Sequence, residues 1–156
     1  MSCTFASMPE LLHFENFQAG QKYAFGDHVL TEDEIVAFAR EFDPQPQHVD
    51  PVAARDGMLG GLAASGWHLC ALAMRMIVDG LFGRASSLGS PGVEEVRWRR
   101  PVRPEDRLRM EAEVLDTRAS ASKPDRGFVR FRFRMLRGEE EVMTFTSSGM
   151  FQRRMV

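Results

Sequence analysis

Hydrophobic and polar positions change their period along the chain, and each change marks an element. Residues 22–30 read as a first strand. Thr31-Glu32-Asp33-Glu34 is a capping box, in which the Thr31 hydroxyl meets the Glu34 backbone and the Glu34 side chain reaches back. The helix it opens puts Ile35, Phe38, Ala39 and Phe42 on one stripe and stops at Asp43, because Pro44 forbids continuation. Asp50-Pro51 starts a short helix, with Asp50 as cap and Pro51 in the first position, and Gly57, Gly60 and Gly61 break it. Residues 65–82 are apolar nearly all round, and His68, Arg75 and Asp79 form one narrow polar stripe. Such a helix is expected to be buried on most sides, with a sheet wrapped around it. After a Gly/Ser loop at 83–92 the period falls to two. Leu108, Met110, Ala112 and Val114 alternate with charged residues, as do Val129, Phe131, Phe133 and Met135, and then Met143, Phe145, Ser147 and Gly149 before Phe151. These are strands with one dry and one wet face, joined by turns at 122–127 and 138–139. One buried helix followed by an antiparallel run reads as α+β. Residues 1–20 are expected to be irregular, with Phe14 and Phe17 tucked onto the body, and no repeat or second domain is visible in residues 1–156.

Composition narrows the class without naming a function. The 156 residues are 44% hydrophobic and 27% charged, an ordinary globular balance. A chain of this length buries about two thirds of the surface its unfolded form exposes. A net charge of −2 gives no reason to expect nucleic acid or an anionic membrane as partner. Of the 20 basic residues only Lys22 and Lys123 are lysines, a skew that locates no site. Cys3 and Cys70 form no framework and are expected to be free thiols in a reducing compartment. The N-terminus lacks a basic start followed by a long apolar run, so it does not read as a secretory signal. Arg75 and Asp79 argue against reading 65–82 as a membrane span. A cytoplasmic protein is expected.

Candidate chemistry gathers in two places. Phe42-Asp43-Pro44-Gln45-Pro46-Gln47-His48-Val49-Asp50 sets a carboxylate and an imidazole five residues apart, with two prolines stiffening the loop between them. An Asp and a His on one stiff turn can share a water, one taking its proton while the other orients it. A solvated turn capped by Asp50 would use the same residue types. Ala63-Ala64-Ser65-Gly66-Trp67 starts the long helix, where unpaired N–H groups and the helix dipole favour anions. Ser65 as a plain cap and Gly66 as relief from crowding account for that stretch equally. The four histidines, His13, His28, His48 and His68, show no close metal-ligand spacing, and no Gly-rich phosphate loop follows a strand.

The pattern Asp43-x-Gln45-Pro46-x-His48 resembles the Asp-x-Asn-Pro-x-His motif of MaoC-like dehydratases, the (R)-specific enoyl-CoA hydratase family. Pro91-Gly92-Val93 through Arg100-Pro101-Val102-Arg103-Pro104-Glu105-Asp106 resembles that family's strand-plus-turn signature. The likeness runs from about residue 15 to 151 in the right order. It implies a hot-dog fold, an antiparallel sheet wrapped around a long central helix. It also implies addition of water to, or its removal to form, a double bond conjugated to an acyl thioester. Asp43 and His48 would then be catalytic, Gly66 the oxyanion-hole glycine with Ser65 beside it at the substrate, and Gln45 and Pro46 would position the loop. The substrate would bring its own CoA or acyl carrier, with no further cofactor or metal. A homodimer with sites near the interface is implied as well. Gln45 stands where the motif has Asn, and Ser65-Gly66 where many members have His-Gly, so the acyl group is expected to differ. Trp67 and Met74 are expected in the core, with the shaping of an acyl pocket as their other use. Asp79 is expected to pair with Arg75, and Arg130, Arg132 and Arg134 to form an outward face that is solvated or meets CoA phosphates. A hot-dog thioesterase and a non-catalytic acyl-thioester-binding module are the alternatives.

Overall fold

The computed structural model describes residues 10–155; Cys3 and the rest of the first nine residues lie outside it. A 3₁₀ turn at Phe14–Asn16 leads into β1 (Lys22–Val29) and α1 (Glu32–Phe42). Two single-turn helices follow, α2 (Pro46–Val49) and α3 (Pro51–Ala54), and then the long helix α4 (Gly66–Gly80). Another 3₁₀ turn, Phe82–Arg84, precedes β2 (Ser87–Gly89), β3 (Val93–Trp98), β4 (Arg107–Ala119), β5 (Arg126–Arg137) and β6 (Glu140–Gln152). The strands form one antiparallel sheet in the order β1-β4-β5-β6-β2, with β3 also paired to β6. One face of this sheet packs against α4, the hot-dog arrangement.

The alternation in sequence becomes the inner face of the sheet. Leu108, Met110, Ala112 and Val114 of β4 and Val129, Phe131, Phe133 and Met135 of β5 are buried against the helix. Phe17 packs on Phe131 and Phe151, which ties the segment before β1 to the far end of the sheet. Gly26 sits at φ +80° in an irregular stretch of β1, where a Cβ would run into Met76 of α4; its absence lets helix and sheet close. The wet face carries a lattice of ion pairs. Arg134 bonds Glu111 at 2.7 Å and Glu141 at 2.8 Å, and Arg130 and Arg132 pair with Glu94 and Glu113. The arginine row thus meets carboxylates of neighbouring strands.

Several expectations are corrected here. The helix α4 is not buried on most sides: Leu69, Ala73, Met76 and Ile77 are, but Trp67, Met74 and Val78 are 64%, 46% and 42% exposed. One chain's sheet covers one side of the helix, so Trp67 and Met74 do not join the core. The loop at 83–92 contains a strand, because residues 87–89 add to the edge of β6. Phe42, at the end of the α1 stripe, is 65% exposed and rests on Phe38 at the helix surface. Ser147 is only half-buried, its hydroxyl donating to the Gly92 carbonyl.

Candidate active site

Asp43 and His48 are brought together by three local devices. The first is the end of α1: Asp43 is its C-cap, out of helical geometry at φ −152° and ψ 67°, as the following proline demands. Next, Gln45 is extended and Pro46 occupies the first position of α2, so one helical turn carries His48 back towards Asp43. The third is the strand-like stretch before α4. Residue 63 bonds α2 with both its backbone groups, the Ala63 N–H donating to the Gln47 carbonyl at 3.1 Å and the Ala63 carbonyl accepting from His48 Nδ1 at 2.6 Å. Ala64 N–H in turn donates to the Val102 carbonyl at 2.9 Å, and the Arg103 guanidinium bonds the carbonyls of Leu59 and Leu62. The Pro101–Asp106 turn therefore braces the loop that carries the site.

Within this frame His48 Nε2 stands 3.5 Å from Asp43 Oδ2, with both side chains largely buried. Asp43 Oδ2 also accepts from the Ser65 hydroxyl at 2.6 Å, and Oδ1 accepts from the Gln45 side-chain amide at 2.7 Å. The Ser65 hydroxyl and the Gln45 amide hold the Asp43 carboxyl below the usual aspartate range, His48 adds to this, and burial opposes it. Asp43 is ionised at neutral pH. Because a carbonyl oxygen only accepts, His48 Nδ1 must carry a proton, which leaves Nε2 of the neutral ring as an acceptor facing Asp43. Ser65 is fully buried, and its hydroxyl accepts from the Trp67 N–H at 3.3 Å while donating to Asp43. One of its bonds thus runs to the helix backbone and the other to Asp43. Gly66 is the first residue of α4, so its N–H has no intrahelical acceptor. His48, Ala63, Ala64, Gly66, Leu69 and Trp98 line a cavity of about 210 Å³.

The structure thus gathers Asp43, Gln45, Pro46, His48, Ser65 and Gly66 at one place. Asp79 lies apart, bonded to Arg75 at 2.7 Å. Two participants carried no signal of their own in the sequence. The Ala63 carbonyl acts through its backbone, which no side chain announces. Trp98 lies in a charged run, Glu94-Glu95-Val96-Arg97-Trp98-Arg99-Arg100, where strict alternation would set Val93 and Val96 on opposite faces. Glu95, at φ +53°, breaks the β3–β6 register, and Val93 and Val96 line one cavity. Among the described residues no three His, Cys, Asp or Glu side chains cluster as a metal site would need.

Comparison with known proteins agrees with the geometry. Residues 14–128 match the family model described as MaoC like domain. The chain is 33% identical over 106 residues to the Bacillus subtilis protein YdeM, spanning 67% of this chain and 74% of that one. It superposes on the crystal structure of the MaoC-like dehydratase from Rhodospirillum rubrum with a TM-score of 0.85 and 39% identity, over 93% of this chain and 99% of that chain. The (R)-hydratase from A. caviae involved in PHA biosynthesis gives a TM-score of 0.69 at 21% identity, over 86% and 97% of the two chains, a likeness of fold alone.

Proposed function

The chain belongs to the MaoC-like domain family, and from that premise we propose that it is a hydro-lyase adding water to, or removing it to form, the 2,3-double bond of an enoyl thioester. The observation that carries this reading is the Asp43–His48 pair, 3.5 Å apart at the start of α4. With Nδ1–H committed to Ala63, His48 Nε2 and Asp43 Oδ2 are two acceptors side by side. A water donating one hydrogen to each keeps its lone pairs free, and one of them can face C3 of a thioester held in the cavity. As the C3–O bond forms, one of the two acceptors takes a proton from the water. The π electrons move through C2 onto the thioester oxygen, where the Gly66 N–H stabilises the developing charge. That acceptor then returns its proton to C2 as the electron pair on the thioester oxygen re-forms the carbonyl, so OH is added at C3 and H at C2. The CoA or acyl carrier arrives with the substrate, and the proposed chemistry draws on no further cofactor.

Hydration of a panel of trans-2-enoyl-CoA thioesters, followed as loss of the conjugated absorbance with free CoA monitored in parallel, tests this. Asp43→Asn and His48→Ala should each lower kcat/KM by about 10²–10⁴-fold, the usual worth of a positioned acid or base. Release of CoA without hydration would make the protein a thioesterase and sink the proposal. We further propose a homodimer. The exposed Trp67, Met74 and Val78 of α4, with Val93 and Trp98 on β3, leave an apolar surface of the kind a second copy covers.

A further inference from the structure

We propose that Trp98 is the residue that sets acyl-chain length, acting as a wall between the catalytic cavity and a second, larger apolar cavity on the other flank of α4. This rests on the hydratase reading for its substrate class, but its evidence is separate. The second cavity, of about 370 Å³, is lined among others by Trp67, Cys70, Met74 and Val96; it opens on the exposed face of α4, where a second copy seated on Trp67 and Met74 would roof it. The two cavities share the helix: Gly66 and Leu69 face the first, and Trp67 and Cys70 face the second. Trp98 lines the first cavity and touches one residue of each row, Gly66 of the first and Trp67 of the second. Its indole covers the Cα of Gly66 so closely that a Cβ there would fall within the ring. It meets Trp67 edge-on at 5.8 Å between centroids. It also adjoins the Cys70 thiol, whose pKa burial raises and Trp98 partly restores.

Gly66 therefore has a use beyond its N–H. Without a side chain, it lets an aromatic plane lie against the helix and line the catalytic cavity. That cavity must hold the thioester and the attacking water, and an acyl group that ends short of Trp98 fills what is left. A longer chain meets the indole, and the apolar space that would welcome it lies behind. Removing the ring joins the two cavities at the point where C4 and beyond of an acyl chain would pass.

Calorimetric titration with butyryl-, hexanoyl- and octanoyl-CoA reads this wall without any turnover. Wild type should gain no affinity from butyryl to octanoyl. In Trp98→Ala, octanoyl-CoA should gain about tenfold or more relative to butyryl-CoA, as burial of several added methylenes implies. Trp98→Phe keeps an aromatic plane and should stay with the wild type, which controls for damage to β3. An octanoyl-to-butyryl ratio unmoved by Trp98→Ala, or a wild type that already gains with length, overturns the proposal. Hydration assayed alongside separates the two claims. Length-dependent binding without hydration sinks the hydratase reading and leaves the wall standing, whereas hydration with an unmoved ratio sinks the wall alone.

Discussion

Asp43 is held by more partners than any other side chain at the site, and each has a distinct effect. Ser65 and Gln45 donate to different oxygens, so the carboxylate plane is fixed as well as its charge. Gln45, standing where the motif has Asn, reaches Oδ1 at 2.7 Å. Ser65→Ala removes the leading cause of the lowered Asp43 pKa. The acid limb of the kcat/KM profile should then move to higher pH, and a limb that stays put would free Ser65 of this role. The same shift links to folding. A carboxyl whose folded pKa lies below its unfolded value stabilises the fold above the unfolded value and loses that contribution as pH falls through the folded one. Urea unfolding should therefore show stability dropping below about pH 4, where aspartate normally titrates. Ser65→Ala should flatten that drop while costing about 1.5–3 kcal/mol at neutral pH, the range for a hydrogen bond to a charged group.

At the scale of elements, α1 delivers Asp43 and its first turn anchors the delivery. Both halves of the Thr31–Glu34 capping box form, with the Glu34 N–H donating to Thr31 Oγ1 at 3.2 Å and Thr31 N–H donating to Glu34 at 2.8 Å. Thr31→Ala should cost about 1 kcal/mol in urea unfolding, with little change in KM because the cap lies at the far end of the helix from Asp43. Phe131→Ala, in the aromatic cluster under α4, should cost about 3–5 kcal/mol by the same measurement. What could be read in advance follows from where the physics is local. The capping box, the stop at Asp43 and the Asp50 cap of α3 depend on residues within a turn of one another, and the structure contains all three. The long hairpins β4 to β6 were legible because period-two alternation over a dozen residues has one common outcome. The strand β2 was not, since Ser87–Gly89 has no pattern of its own and becomes a strand by pairing with β6. The two-sidedness of α4 was hidden for another reason. A helix facing its own sheet and a helix facing a neighbour carry the same apolar residues. At the site, the motif exposed Asp43 and His48, while the Ala63 carbonyl and the Trp98 wall depended on contacts distant in sequence.

For the whole molecule, the exposed side of α4 has a measurable consequence. Light scattering should give about twice the 17.7 kDa of one chain, the stoichiometry most common for self-complementary surfaces. Val78→Glu, at a position 42% exposed in the single chain, should shift that mass towards the monomer without unfolding it. A mass unaffected by the substitution would place the partner elsewhere. The ion-pair lattice across β3 to β6 is largely solvent-exposed, so salt should weaken it with little loss of stability. The aromatic wall gives the molecule one more property. Trp67 and Trp98 are the chain's only two tryptophans, and they touch. Indole emission from the entire protein therefore originates at the partition between the two cavities. A thioester that presses on that partition would report itself in colour and intensity, so the protein carries an intrinsic optical probe at its own specificity element, with no label attached.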